Sequence, residues 1–523
     1  MFWMLLVAPS LAQECTTPGE LRALLEGPCP TLALMGAEHA AREAGTLSCL
    51  SRSREGVGLG PIATTSPSLP PPPPGAEKAL RDWYDMPLAH ESENFVLRWG
   101  NSKSMSTERI EQILASFESA WELVLEDRSY VPPAGTDTYK FNIYISDSGG
   151  PPSGGAAYYT RDPNGHPMIS ITQGTYNDVS FGWTVGAHEF YHALQDASGA
   201  PYAYGDFQPG AWYWEATANW IETEIYPENE AQTLAYFLQT FMLYPHLSVN
   251  FFDYPDGSAG AVESYQYGAF IFPYFLSREV ADADLIRESW LEPVSDNPLD
   301  TLDAVLQAEW ETDIVSAFFD FAAYNATYER YDDRDTFTSA LRGLGEYGND
   351  RVVDTVAGNT NGWMSADEAL WPSAFGSNYI KISPRRPDIR VLFQGDTEGS
   401  LGRTPTWDAR LVIVDADGER DEPLLLDEGT GEVFLEGVDN VDEMWLVISV
   451  VSDRIDWRES FGYQYAVEAE GELIDEPEPE LEDTGNPLGQ DTCGCTAGAG
   501  GAGLWLAVVG LFSVLARRKR GAA

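Results

Sequence analysis

Hydrophobic positions in the first half of the chain predict a mixed helix and strand unit. Apolar residues recur at helical spacing from Ile110 to Val124, which predicts a long helix with one buried face. Apolar and polar residues then alternate in three short runs, which predict strands. These runs are Tyr139 to Ile145, Ala156 to Thr160 and Met168 to Thr172. A largely apolar helical segment follows, so an α+β fold is predicted for this part.

The pattern changes beyond about Gly345, where β-rich runs are separated by clusters of Asp, Gly and Pro. The runs are Tyr379 to Ile382, Ile389 to Phe393, Ala409 to Val414, Val433 to Leu435, Met444 to Val451 and Gln464 to Val467. Many short strands with turn residues between them predict an all-β, sandwich-like domain, assigned to residues 346–470. We interpret it as a stabilising unit without a ligand of its own. A substrate-binding module is the alternative.

The apolar helical segment contains His188-Glu189-Phe190-Tyr191-His192. Positions i and i+4 of a helix share one face, so the rings of His188 and His192 can converge on a single point. Glu189 lies beside them, where it can take a proton from a water activated by a metal. A bare match to this motif occurs by chance in long proteins. The chain has six histidines, and two of them in one apolar helix need a shared partner, so a metal is predicted.

A catalytic metal site of this kind needs a third protein ligand. The extended motif His-Glu-x-x-His-x-x-Gly-x-x-His, which would supply a third His, is absent. Gln195 and Ser198 occupy the places of its Gly and last His. A loop rich in Gly and Pro follows, and then a helix is predicted from Ala211 to Ile225. It carries Glu215, Asn219 and Glu222 on one face. Glu215 is the predicted third ligand. Glu222 is the alternative ligand, or else a solvated carboxylate on the outer edge of the helix.

His-Glu-x-x-His followed by a Glu on a second helix resembles the gluzincins, the thermolysin-like branch of the zincin metallopeptidases. The resemblance implies a zincin-like domain over residues 76–345 that hydrolyses peptide bonds, with Zn²⁺ held by His188, His192 and Glu215. In gluzincins an Asp four residues after the ligand Glu orients a zinc-bound His. This chain has Asn219 there. Its amide can accept the imidazole N–H, but it raises ligand basicity less than a carboxylate would.

The same resemblance implies a Tyr or His that stabilises the oxyanion. Tyr267 is the candidate, and Tyr265 and His246 are the reserves. The resemblance also implies that the strand near Tyr158-Tyr159 borders the cleft and pairs with an extended substrate backbone.

Composition narrows the choice of partners. The chain has 523 residues, of which 43% are hydrophobic, so it can bury substantial cores. Its 82 acidic and 31 basic residues give a formal charge of −51. Such a charge repels nucleic acid and anionic membranes, so neither is an expected partner. The gluzincin resemblance implies a protein or peptide substrate.

The N-terminal residues predict export. Residues 1–12 form an apolar run that ends in small residues, as in a secretory signal peptide. Residues 13–65 contain Cys15, Cys29 and Cys49, and one disulfide among the three is expected in an exported chain. This segment is either a pro-region or an accessory domain. Residues 66–75 form a Pro-rich linker that predicts an extended spacer.

The C-terminal residues predict a surface-sorting signal. Residues 471–492 form an acidic linker. Residues 493–523 hold Cys493-Gly494-Cys495, a short apolar stretch and a basic cluster, an order that resembles the MYXO-CTERM sorting signal. The resemblance implies a transmembrane helix cut by a sorting protease, with a Cys lipidated for display on the cell surface. Membrane contact is expected only through this segment, and a simple C-terminal anchor is the alternative.

Two functions from different classes fit these features. The first is an exported, surface-sorted zinc endopeptidase with Glu189 as general base. The second is a non-catalytic surface binding or adhesion protein that retains a zinc-bearing zincin fold. An intact Glu189 favours the enzyme, because a structural zinc site has no use for a general base.

Overall fold

The computed structural model shows a mixed α+β protein, as the sequence predicts. It describes residues 17–25, 34, 37, 41, 49–50, 53–54, 57, 59, 78–203, 208–227, 230–252, 264–384, 386–438, 441–452 and 458–471. The predicted signal peptide, the Pro-rich linker and the C-terminal sorting signal lie outside these residues.

A five-stranded sheet organises the first half of the described chain. Its strands are β1 (Leu88–Glu91), β2 (Phe95–Trp99), β3 (Phe141–Ile145), β4 (Ala157–Arg161) and β5 (Pro167–Ile171). The spatial order is β1-β2-β3-β5-β4. Strands β2, β3 and β5 are parallel, whereas β1 and β4 run antiparallel to their neighbours. The three predicted strands are present within one or two residues, and β1 and β2 are additional.

The helices of the chain lie before, between and after these strands. They are α1 (Pro18–Leu25), α2 (Thr107–Trp121), α3 (Gln173–Asn177), α4 (Val179–Ser198), α5 (Ala211–Ile225), α6 (Glu230–Leu243), α7 (Tyr265–Gly268), α8 (Ile271–Phe275), α9 (Ala283–Leu291), α10 (Pro298–Glu309), α11 (Ile314–Thr327) and α12 (Arg334–Gly343). The predicted helix from Ile110 to Val124 is α2, which continues as a π-helical turn at Glu122–Asp127. The predicted helix from Ala211 to Ile225 has the same bounds as α5.

Helix α4 is held against the sheet by an aromatic cluster. The ring of Phe190 lies 5.2 Å from that of Phe95 and 5.5 Å from that of Phe141, both edge to face. It also stacks on Trp121 of α2 at 6.0 Å. Because Phe190 lies two residues from both His188 and His192, it projects from nearly the opposite side of the helix. Packing Phe190 on the sheet therefore turns both imidazoles away from it, towards α5.

Strands in the C-terminal half form two packed sheets. Their bounds are β6 (Val352–Ala357), β7 (Gly376–Ser383), β8 (Asp388–Gly395), β9 (Pro405–Asp415), β10 (Gly418–Pro423), β11 (Leu425–Asp427), β12 (Thr430–Leu435), β13 (Val441–Ser452) and β14 (Tyr463–Glu470). The orders are β10-β9-β13-β7-β6 and β11-β12-β8-β14. One buried apolar cluster draws on both sheets, so the predicted sandwich is present.

The first of these sheets is buried on both faces. One face contributes to the sandwich core, and the other packs against α11 through Ala322, Ala323 and Ala326. Burial on two sides explains why β13 is nearly continuously apolar instead of alternating. The sandwich is therefore joined to the helical half by a packed apolar interface.

A buried arginine reinforces this interface. Arg351 is 4% exposed. Its guanidinium donates hydrogen bonds to the main-chain oxygens of Asn325 and Ala326 at the end of α11. The same group lies 5.3 Å from the ring of Tyr379 and 5.1 Å from that of Trp445, both in the sandwich. A cation at a helix C-terminus also meets the negative end of the helix dipole.

Part of the N-terminal segment contacts the sheet as well. Leu21 and Leu25 of α1 belong to a buried cluster that includes Tyr158 of β4. Arg54 donates a hydrogen bond to the main-chain oxygen of Arg161 at 3.1 Å. Cys49 is disulfide-bonded, and its partner lies outside the described residues. The segment therefore packs on the same strand that the sequence predicts to border a cleft.

No helix within the described residues is long and apolar enough to cross a membrane. The apolar part of residues 493–523 is not among them.

We expect Arg351→Met to lower the free energy of unfolding by about 2–4 kcal/mol, because it leaves the two α11 oxygens without their charged donor. Arg334→Met is the matched control, since the Arg334 side chain is 63% exposed, and it should change stability by less than about 0.5 kcal/mol. Denaturant unfolding followed by tryptophan fluorescence measures both. Equal stability of the two variants would show that Arg351 does not reinforce the interface.

Candidate metal centre

Three buried ligand groups meet where α4 faces α5. Candidate ligand atoms of His188, His192 and Glu215 all lie within 4.8 Å of one another. The exposed fractions of these residues are 8%, 0% and 0%. Within the described part of the chain, this is the one group of three or more His, Cys, Asp or Glu side chains that could hold a metal. The sequence predicts these three residues as the ligand set, and the structure brings them together.

Individual distances within the group suit a metal ion. Glu215 Oε2 lies 2.9 Å from His188 Nε2 and 3.9 Å from His192 Nε2. Zinc bound tetrahedrally at about 2.0 Å would hold its ligand atoms roughly 3.3 Å apart. The two distances lie on either side of that value. Small side-chain movements would therefore be enough to admit the ion.

His192 gives the clearest indication of a missing partner. Its Nε2 atom is buried and has no hydrogen-bond partner. Burial lowers the pKa of His192 to about 4, which leaves the imidazole neutral at physiological pH. A buried, unprotonated ring nitrogen without a donor is costly in a folded protein. A metal ion would remove that cost, because it accepts this lone pair.

The other nitrogen of His192 is fixed by Gln195. Gln195 Oε1 lies 2.6 Å from His192 Nδ1. The Gln195 amide nitrogen donates to the Trp214 carbonyl and to Thr217 Oγ1, both at 2.9 Å, and these contacts set the orientation of the amide. His192 Nδ1 therefore carries the proton, and Nε2 is left to bind a metal. In the sequence Gln195 is noted only as one of the two residues that break the extended motif, where it stands at the glycine position, so this role was missed.

His188 is oriented by two side chains of α5. Its Nδ1 lies 2.8 Å from Asn219 Oδ1 and 3.2 Å from Glu222 Oε1. Both partners are oxygens, so Nδ1 carries the proton and Nε2 faces Glu215. The Asn219 contact is the one implied by the gluzincin resemblance.

Glu222 differs from both sequence interpretations. It is 3% exposed, so it is not a solvated carboxylate on the outer edge of α5. It contacts the Nδ1 of His188, the nitrogen that faces away from the ligand cluster, and it is not one of the three clustered ligands. Helical spacing correctly places Glu222 on the same face as Glu215. The sequence does not show that burial of this face extends as far along α5 as Glu222.

The charge around His188 has a simple consequence in the metal-free chain. Burial by itself would lower the pKa of His188, but hydrogen bonds with Glu215 and Glu222 and the nearby charge of Glu189 outweigh it. The pKa of His188 is therefore held well above its usual value. A proton on Nε2 then lies between His188 and Glu215, in the space that a metal cation would take.

Glu189 and Tyr267 lie at the same site. Glu189 is 7% exposed and follows His188 in α4, outside the three-ligand cluster. The ring of Tyr267 lies 6.2 Å from that of His188, and its main-chain oxygen accepts a hydrogen bond from Asn219 Nδ2 at 3.0 Å. Tyr267 is half-buried, as suits a residue at the edge of a site.

The two reserve residues lie elsewhere. Tyr265 is fully buried, and its hydroxyl donates to the Leu247 carbonyl. The main-chain oxygen of His246 accepts from Ser373 N, at the junction with the sandwich. Neither residue has a described contact with the ligand cluster.

Strand β4 borders α4, as expected for a cleft strand, but its side chains are engaged. The Tyr159 hydroxyl donates to Asp196 Oδ2 at 2.5 Å, and Arg161 forms a salt bridge with the same carboxylate. Tyr158 packs against the N-terminal segment. These contacts fix β4 to the C-terminal end of α4. Pairing of β4 with a substrate stays a prediction.

Comparison with known proteins assigns the chain to a family. The sequence model of the family of unknown function DUF6055 matches residues 76–464. The chain belongs to this family. A search of the curated proteins found no match. The match begins at the predicted start of the zincin-like domain and ends inside β14, so the family comprises the helical half together with the sandwich.

We expect one metal ion per chain in the wild type and a substoichiometric amount in His188→Ala and His192→Ala, because each variant removes one of three ligands. His90→Ala is the control, since His90 is not in the cluster and lies on β1, at the sheet edge opposite β4. Elemental analysis of the purified, dialysed proteins measures the ratio. One full equivalent of metal in either ligand variant would rule out the assignment.

Proposed function

We propose that this protein is a zinc-dependent endopeptidase. The observation that carries the proposal is the buried cluster of two imidazoles and one carboxylate, with the unpartnered Nε2 of His192 directed into it. Imidazole and carboxylate ligands suit zinc among the common divalent metals. Three protein ligands leave a coordination position for water or substrate, which is typical of catalytic zinc sites.

Two ligands would come from α4 and the third from α5. A bound zinc ion would supply Lewis-acid chemistry, lowering the pKa of water and polarising a carbonyl group. Gln195 keeps His192 in the tautomer that binds metal, and the oxygens of Asn219 and Glu222 do the same for His188. Both imidazoles are thus held in a binding orientation before the ion arrives.

Glu189 is the proposed general base. It projects from α4 beside His188, and it is not needed as a ligand because the cluster already has Glu215. Its carboxylate would take the proton from the attacking water and pass it to the leaving amine of the cleaved peptide. A mostly buried carboxylate favours this role, since a dry site excludes bulk water as a competing acceptor.

Tyr267 is the proposed oxyanion partner. Its ring lies beside His188, and the Asn219 amide holds its main chain. A phenol at this edge of the site could donate a hydrogen bond to the carbonyl oxygen of the substrate as negative charge develops on it.

The alternative is a surface binding protein that uses the metal for structure alone. A structural zinc site normally closes its fourth position with another Cys or His. Within the described residues no fourth His or Cys joins the cluster, which favours the enzyme.

We also propose that the chain is exported and displayed on the cell surface. The disulfide at Cys49 supports export, because such bonds persist in oxidising compartments. The sorting-signal resemblance of residues 493–523 supports surface display, with a sorting protease as the partner at that end.

Glu189→Gln should retain one zinc per chain and lose about two to four orders of magnitude in turnover, because it removes the proton acceptor without changing side-chain size. Glu111→Gln, an exposed carboxylate on α2, is the control for the same chemical change. Hydrolysis of an unfolded, fluorescently labelled protein gives the rates. Near wild-type hydrolysis by Glu189→Gln would overturn the proposed mechanism.

The mature surface protein should lack the C-terminal tail, the apolar stretch and basic cluster of residues 493–523, because the predicted processing removes it. Intact-mass spectrometry of protein extracted from the cell surface measures its C-terminus. A mature chain that still ends at Ala523 would reject the sorting hypothesis and leave a simple anchor.

A further inference from the structure

Two α5 side chains contact the Nδ1 of His188, the neutral amide of Asn219 and the carboxylate of Glu222. Asn219 also makes a second hydrogen bond. Asn219 Oδ1 faces Nδ1 at 2.8 Å, while Asn219 Nδ2 donates to the Tyr267 carbonyl at 3.0 Å. Both ends of the amide are therefore used, and its orientation is determined by a carbonyl that can only accept. Asn219 links the ligand imidazole to the segment that carries Tyr267.

This second contact restricts position 219 to a neutral amide. An Asp there would set a carboxylate oxygen against the Tyr267 carbonyl, with no proton between the two acceptors. The site is fully buried at this point, since Asn219 is 0% exposed. Two buried acceptors facing each other are unfavourable. The charged partner of His188 must then come from elsewhere.

Glu222 supplies that charge from one turn further along α5. Its Oε1 lies 3.2 Å from the same Nδ1 atom, and the residue is 3% exposed. Charge-assisted hydrogen bonds are stronger than neutral ones, and a carboxylate behind a metal-bound imidazole makes that imidazole a better ligand. No other carboxylate has a described contact with this nitrogen.

We infer that Glu222 is a positioning residue of the metal centre, the carboxylate that orients and charges His188, while Asn219 positions the Tyr267 segment. The inference rests on the proposed metal site, and it concerns a residue that is not one of the three ligands. A carboxylate at position 219 or at position 222 can accept the hydrogen bond from His188 Nδ1. Only an amide at position 219 can also donate to the Tyr267 carbonyl.

The test measures zinc affinity by competition with a chromophoric chelator. Glu222→Gln should bind zinc about 10- to 100-fold more weakly than the wild type, the usual effect of losing such a partner. Glu224→Gln is the matched control on the same helix, because the Glu224 carboxylate pairs with Arg128 and Arg278 rather than with the ligands. It should leave the zinc affinity unchanged.

The double variant Asn219→Asp/Glu222→Gln moves the carboxylate from one position to the other. It should recover most of the lost zinc affinity while its kcat stays low, because Tyr267 has lost its amide donor. Recovery of this kind separates positioning from a general effect on folding. The absorption bands of the cobalt-substituted proteins should be altered in Glu222→Gln and largely restored in the double variant.

Each outcome decides between distinct claims. If the wild type binds no zinc, the proposed function fails. If the wild type binds zinc and Glu222→Gln binds it equally well, only the role of Glu222 is overturned. A double variant that folds without recovering zinc affinity also overturns that role. If Glu222→Gln does not fold by itself, the double variant decides.

Discussion

A buried carboxylate between two buried imidazoles is the constraint on which the centre of this protein depends. Glu215 is completely buried, and removing an ionised carboxylate from water is costly unless a positive charge compensates for it. In the metal-free chain a proton shared with His188 provides the compensation. That proton does not satisfy the Nε2 of His192, which has no hydrogen-bond partner. A divalent cation would satisfy all three groups at once.

The surrounding fold holds these three side chains in place, so they cannot move apart or turn towards water. Phe190 fixes α4 on the sheet through the rings of Phe95 and Phe141. Gln195 connects α4 to α5 through the main chain of Trp214. Because α5 is buried along most of its length, its polar residues cannot turn outward to water. The ligands are thus presented to each other by packing that exists without the metal.

The sequence was informative where local chemistry decides the structure. The bounds of α5 follow from the Gly and Pro residues before it, and the strands of the sandwich follow from their apolar runs. The sequence did not predict β1 or β2. Strand β1 is mostly exposed, and the five-residue β2 is buried because Phe95 packs on Trp121 of α2 and Phe190 of α4. His188 and His192 could be named from helical spacing, and Glu215 from its place early in the helix predicted after the loop. The roles of Gln195 and Glu222 could not, because they depend on how closely α4 and α5 approach.

The central claim is that the His188, His192 and Glu215 cluster holds a catalytic zinc ion. Titration of zinc into chelator-treated, dialysed protein tests it most directly, with proteolysis and bound metal measured at each step. The account predicts no hydrolysis in the metal-free protein and a linear return of activity that ends at one zinc per chain. Full hydrolysis by the metal-free protein, or bound zinc that restores none, would contradict it.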